Sequence, residues 1–295
     1  QGDFTVYERS SNEQIIERAL GADVLLTNKT PLTAETLVQL PDLKFISVLA
    51  TGYNVVDVAA ARERNIPVSN VPIYGTDSVA QFVFAMLLEL SHQIGLHSEA
   101  VRSGAWSANP DFCFWKTPQV ELAGKTLGIV GLGRIGTRTA HLAAAFGMKV
   151  IAYTRTRKSA PDIDGFEWVD LEELFKRADV VSLHCPQTSE NVGFVNSELL
   201  SKMKPSSFLI NTSRGPLIVE QDLAEALNAG TIAGAGVDVV SVEPIKPDNP
   251  LLTAKNCLIT PHIAWATLEA RQRLMQTTAD NVAAFISGSP INLVN

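Results

Sequence analysis

The stretch Val130-Gly131-Leu132-Gly133-Arg134-Ile135-Gly136 constrains this chain more than any other. It reads G-x-G-x-x-G, follows the apolar run Leu127 to Val130, and precedes a helix-like run from Thr137 to Gly147. A strand, a glycine turn and a helix in that order make a dinucleotide-binding unit; glycines without that setting would be only a turn. Gly131 permits the tight strand-to-helix turn, Gly133 lets backbone approach a pyrophosphate, and Gly136 lets helix and strand pack closely. The amides that open the helix, at Arg134 and Ile135, then face phosphate with a partial positive charge.

A fold of this kind that prefers NAD carries Asp or Glu at the tip of the next strand, where it holds the ribose 2′-hydroxyl. Here Lys149-Val-Ile-Ala-Tyr153 runs into Thr154-Arg155-Thr156-Arg157-Lys158 with no carboxylate. The Thr154 hydroxyl and three cations stand where a 2′-phosphate would lie, and the Arg155 fork suits bidentate contact with it. The pattern favours NADP as cofactor; NAD stays open, as does a solvated basic loop.

The chain has 295 residues, enough for one large or two ordinary domains. It is 46% hydrophobic and 19% charged, the balance of a soluble globular protein. A net charge of −7 gives no support to a nucleic-acid partner. No apolar run reaches the length of a membrane span, and no secretory signal is visible. Cys113, Cys185 and Cys257 are odd in number and far apart, forming neither a disulfide framework nor a metal motif, so a reduced, cytoplasmic setting is expected. The first readable element, Phe4-Thr-Val-Tyr7, has the look of a strand inside a fold, and a strand and helix ahead of it are expected.

Strand and helix signals alternate throughout, as in α/β proteins with parallel sheets. Strands are expected at 4–7, 23–27, 44–50, 66–70, 126–130, 149–154, 180–185, 207–212, 233–239 and 257–260. A buried helix is expected from about Asp77 to Val101, and a last helix over 267–287. The expected architecture is a Rossmann-type dinucleotide domain, residues 76–264, inserted in a smaller flavodoxin-like α/β substrate domain formed by residues 1–75 and 265–295. Trp106, Phe112, Phe114 and Trp115 stand in a loop-like stretch, either as a subunit contact or as the closure of the domain's own core.

Arg214, Glu243 and His262 follow successive predicted strands, and ligands of open parallel sheets bind beyond such strand ends. That set suits carbonyl reduction. Arg214 can bind a carboxylate or polarise a carbonyl oxygen, His262 can donate a proton to the developing alkoxide, and Glu243 can orient the imidazole and stabilise its protonated form. Singly, each residue has an ordinary structural role open to it.

The segments G-L-G-R-I-G (131–136), H-C-P (184–186), N-T-S-R-G (211–215), G-A-G-V-D-V (234–239), V-E-P (242–244) and P-H-I-A (261–264) together resemble the D-2-hydroxyacid dehydrogenases over essentially the whole chain. The resemblance implies Arg214, Glu243 and His262 as the catalytic set. It implies cofactor contacts at Cys185, Pro186 and Thr212, with Asp238 on the nicotinamide carboxamide. It also implies a substrate-carboxylate loop at Ala50-Thr51-Gly52-Tyr53-Asn54, and a homodimer. The run Tyr74 to Phe82 and His262-Ile-Ala-Trp265 look like the glycerate dehydrogenase or hydroxypyruvate reductase branch, with Trp265 walling a small substrate pocket. The expected substrate is a small 2-oxo acid, hydroxypyruvate or glyoxylate. Two alternatives stay open: an NAD-dependent D-lactate-type dehydrogenase, and a nucleotide-gated corepressor-like binding protein. Nothing in the chain resembles a metal site.

Overall fold

The computed structural model describes residues 2–157 and 159–295, so Lys158 of the basic segment lies outside the described residues. Two compact units emerge: the residues up to Tyr74 together with Thr267–Asn295, and Gly75–Ala266.

In the first unit α1 (Ile15–Ala19), β1 (Val24–Thr27), α2 (Ala34–Val38), β2 (Phe45–Val48), α3 (Val58–Glu63) and β3 (Val68–Ser69) alternate. The strands form a parallel sheet in the order β1-β2-β3, with Val24 opposite Phe45 and Ile46 opposite Val68. Every residue of β2 is buried, as a strand covered on both faces requires. Thr33 and Asp57 start α2 and α3 by accepting the amides of Thr36 and Ala60. Leu37, Leu40, Ile46, Val48 and Ala61 fill the core.

The second unit holds α4 (Thr76–His92), α5 (Ile94–Arg102), β4 (Thr126–Val130), α6 (Arg134–Ala145), β5 (Lys149–Tyr153), β6 (Glu167–Trp168), α7 (Leu171–Arg177), β7 (Val180–Leu183), α8 (Ser197–Leu200), β8 (Phe208–Asn211), α9 (Glu220–Ala229), β9 (Gly234–Val237) and β10 (Cys257–Ile259). Its sheet is parallel throughout, in the order β10-β9-β8-β7-β4-β5-β6. The chain winds outward from β4 to β6, then returns to β7 on the other side of β4. That reversal is the switch point of a doubly wound Rossmann sheet, beyond whose strand ends ligands bind. Successive side chains alternate between two cores. Leu127, Ile129, Phe208 and Ile210 face the layer of α4 and α6, while Val181, Leu183 and Leu209 face that of α7 to α9.

The last helix, α10 (Leu268–Ile286), belongs to the first unit, where Phe285 stacks on Phe45 at 4.5 Å. Its fully buried Asn281 donates to the Asn70 carbonyl at 2.9 Å and accepts from the Asn292 side chain at 2.8 Å. The tail then lies along β3, the Val294 amide donating to the Val68 carbonyl and the Val68 amide to the Asn295 side chain.

Two expectations need correction, and one strand was missed. Phe4–Tyr7 is not a strand: Phe4 and Val6 on one face are 72% and 71% exposed and Tyr7 on the other 48%, so neither face is buried. Arg18 holds this segment instead, with its guanidinium over the Tyr7 ring and a hydrogen bond to the Arg9 carbonyl. The expected helix over 77–101 is two helices, bent by 54° at Gln93, which takes a left-handed conformation (φ 45°). The helices differ in burial: α4 buries Val83, Phe84, Met86, Leu87 and Leu90, whereas α5 buries only Ala100. The two-residue β6 was also missed, being too short to show a period.

Candidate active site

The three fingerprint glycines meet three different surroundings. Gly131 has φ 98°, and a Cβ there would lie 2.6 Å from the Cys185 amide nitrogen. A Cβ on Gly136 would lie 2.3 Å from the Gly131 carbonyl oxygen. At Gly133 a Cβ would meet nothing within 4 Å. Two glycines therefore serve packing and one leaves open space, at the N-terminus of the twelve-residue α6, whose first-turn amides lack intrahelical acceptors. A pyrophosphate fits that cradle.

Beyond β7, the Cys185 carbonyl accepts the Ser213 hydroxyl at 2.6 Å, tying the two strand-end loops together. Burial pushes the Cys185 thiol up, which keeps it protonated and unreactive. Burial pushes the His184 imidazole down to about 4, so it is neutral at physiological pH; its Nε2 pairs with the Ser182 hydroxyl at 2.9 Å. Pro186 is exposed at the start of the next loop. Beyond β8 the Thr212 hydroxyl is buried with no hydrogen-bond partner among the described residues, which suits a ligand contact.

The basic segment after β5 divides. Arg157 lies over the Trp168 ring at 5.9 Å, and Arg155 pairs with Glu190 at 3.1 Å. Thr154 directly follows the strand.

Arg214, Glu243 and His262 stand beyond the ends of β8, β9 and β10, which are neighbours in the sheet. His262 Nδ1 and Glu243 Oε2 are 2.7 Å apart. A carboxylate only accepts, so Nδ1 carries the hydrogen and Nε2 is left to handle the transferable proton. His262 itself is left-handed (φ 57°), an uncommon conformation for a residue with a Cβ. The loop is clasped from beneath by Asp238, only 1% exposed. Its carboxylate accepts from Thr260 Oγ1 (2.6 Å) and from the Ile263 and Ala264 amides (2.8 Å each), and its carbonyl accepts the His262 amide (2.8 Å). The Arg214 guanidinium donates to the Ser213 carbonyl and has no carboxylate partner among the described residues. Its carbonyl is held by the buried Asn211 amide at 2.9 Å.

Sequence reasoning missed the residues that join these loops. A Cβ on Gly215 would lie 1.9 Å from the Val240 carbonyl carbon, so the Arg214 turn touches the Glu243 loop backbone to backbone. Glu220, in the first turn of α9, accepts the Ser241 amide (2.6 Å), the Ser241 hydroxyl (2.7 Å) and the Asn249 amide (2.9 Å). An acidic residue opening a helix was the only local sign of it.

In the first unit, Thr51 follows β2, with its hydroxyl on the Val71 carbonyl (2.9 Å) and its carbonyl on the Asn70 side chain (2.7 Å). No described residue accepts from the Gly52, Tyr53 or Asn54 amides. Trp265 belongs to the second unit, its Cβ packed 3.6 Å from the position a Cβ on Gly75 would take.

A doubly wound sheet with a phosphate cradle, and an Arg, Glu and His set beyond neighbouring strands, define a nicotinamide dinucleotide-dependent oxidoreductase. Residues 84–264 match the model of the D-isomer specific 2-hydroxyacid dehydrogenase NAD binding domain. The chain is 52% identical to a hydroxypyruvate reductase of Blautia hydrogenotrophica, over 100% of this chain and 92% of that protein. It is 43% identical to a glycerate dehydrogenase of Methylorubrum extorquens, over 99% of this chain and 92% of that one. It superposes with TM-score 0.85 on an acyclic imino acid reductase solved with NADPH and D-Arg, at 34% identity over 100% of this chain and 92% of the other. The chain belongs to the D-2-hydroxyacid dehydrogenase family, in its glycerate dehydrogenase and hydroxypyruvate reductase branch.

Proposed function

We propose that this enzyme reduces a small 2-oxo acid, hydroxypyruvate or glyoxylate, to the D-2-hydroxy acid, with NADPH preferred over NADH. The observation that carries the reading is the 2.7 Å contact between His262 and Glu243, together with an Arg214 that no carboxylate among the described residues neutralises. The relatives' hydroxypyruvate reductase and glycerate dehydrogenase activities support the same substrate class.

Arg214 binds and polarises the substrate's oxygen atoms. His262 delivers the Nε2 proton to the carbonyl oxygen as it becomes an alkoxide, while Glu243 holds the ring and stabilises the imidazolium before transfer. The reduced nicotinamide supplies the hydride when bound. We assign the 131–136 cradle, Cys185, Pro186 and the Thr212 hydroxyl to cofactor binding, Thr154 and Arg155 to the 2′-phosphate, and Asp238 to the nicotinamide side. The unpaired amides of the 50–54 loop, with Thr51 and Gly52, are assigned to the substrate carboxylate, and Trp265 to the substrate wall. Exposed Phe112 and Trp115 support a homodimer, and three free thiols support a cytoplasmic enzyme.

Steady-state kinetics test this on hydroxypyruvate, glyoxylate and pyruvate, each with NADPH and NADH, for the wild type and His262→Ala. Hydroxypyruvate or glyoxylate with NADPH is expected to give the highest kcat/KM, and His262→Ala to lose about 10²- to 10⁴-fold in kcat. A preference for pyruvate with NADH, or full turnover in the variant, would overturn the reading.

A further inference from the structure

The pairing of Arg155 with Glu190 has a position that matters. Arg155 lies just beyond β5 and Glu190 in the loop beyond β7, and β4 lies between these strands in the sheet. The ion pair therefore crosses over the end of β4, where the glycine turn begins. In a doubly wound sheet the adenosine half of a dinucleotide occupies this ground. Both side chains are open to solvent, Arg155 at 78% and Glu190 at 76% exposed, so the pair is held weakly. The Glu190 loop itself is ordered by Asn191, which accepts the Thr188 amide at 2.7 Å and donates to the Pro186 carbonyl at 2.9 Å. Nothing else among the described residues is paired with Arg155, and its neighbour Arg157 is turned onto Trp168.

We propose that Glu190 is a cofactor-specificity residue acting through competition for Arg155. The inference rests on the assignment of Arg155 to the 2′-phosphate. A 2′-phosphate carries up to two negative charges and three acceptor oxygens, and it displaces a solvated monoanionic carboxylate from a guanidinium. NAD brings no such group, so Arg155 keeps Glu190 when NAD binds. Glu190 thus reduces the advantage of NADP twice over: the ion pair must open, and the released carboxylate remains close to the phosphate it has made room for. An Arg at the strand tip with a carboxylate partner gives a graded preference in place of strict selection.

The test measures dissociation constants of NADPH and NADH by quenching of protein fluorescence, for the wild type, Glu190→Gln, Arg155→Ala and the double variant. Glu190→Gln is expected to tighten NADPH by roughly three- to tenfold, as an exposed ion pair and one repulsive charge allow, and to change NADH by less than about twofold. The gain should fall in the Arg155→Ala background to what the loss of repulsion alone contributes, and shrink as salt is raised. If Arg155→Ala weakens NADPH selectively but Glu190→Gln changes neither constant, the proposal for Glu190 is overturned and the reading of Arg155 stands. Equal tightening of both cofactors by Glu190→Gln also overturns it, because the loop would then act as a general cover. If Arg155→Ala weakens both cofactors equally, the reading of Arg155 fails, and the proposal with it.

Discussion

His262 shows how much structure one working side chain needs. Its left-handed backbone is costly for a residue with a Cβ, and the buried Asp238 offsets that by accepting two loop amides and the Thr260 hydroxyl. His184 is its opposite, a histidine that burial pushes down from 6.5 to about 4. The unfolded chain binds a proton on His184 near the ordinary value, and the folded chain refuses it. Between about 6.5 and about 4 the unfolded state therefore holds more protons, and stability falls as the pH falls through that window. Its contribution is complete above the window. In urea unfolding at pH 7, 5.5 and 4.5, the stability difference between wild type and His184→Gln should shrink steadily on acidification. A difference independent of pH would show that His184 titrates alike in both states.

At the scale of elements, the glycine turn separates folding from binding. Gly136→Ala drives a Cβ into the Gly131 carbonyl and should lower stability by about 2 kcal/mol or more. Gly133→Ala meets open space, so the thermal midpoint should hold while NADPH affinity falls by about tenfold or more. Thermal unfolding and cofactor titration on both variants check this; equal loss of stability in the two would remove the distinction. The strand, turn and helix around this motif were legible because glycine spacing and apolar runs are local signals. The same logic failed at Phe4–Tyr7, whose strand-like residues stay exposed and are held by Arg18 instead. The break at Gln93 was hidden because the residue that takes the left-handed turn is neither Gly nor Pro; it follows from a change in what α4 and α5 bury. Arg214, Glu243 and His262 were readable as residues beyond strand ends. The contacts of Gly215 with Val240 and of Glu220 with Ser241 were not, since they join segments more than twenty positions apart.

For the whole molecule, the aromatics after α5 divide: Phe112 is 89% and Trp115 69% exposed, whereas Phe114 is half-buried. Phe112 and Trp115 therefore do not close the unit's own core. Water-exposed aromatic area on this scale favours association. Phe112→Asp combined with Trp115→Ser is expected to shift the protein from twice the chain mass to the chain mass in size exclusion with light scattering. An unchanged dimer would place the interface elsewhere, and a monomeric wild type would remove it.

The first unit is built from two lengths of chain separated by the whole of the second. During translation the ribosome delivers Gly75–Ala266 as one uninterrupted piece, so all seven strands of that sheet are available before the first unit has its full set of parts. Until residues 267–295 emerge, Phe45 lacks Phe285, Asn70 lacks Asn281, and β3 lacks the tail that lines it. The nascent chain thus acquires its cofactor fold while the residues made before it still wait for their cover, an order of assembly opposite to the order of synthesis.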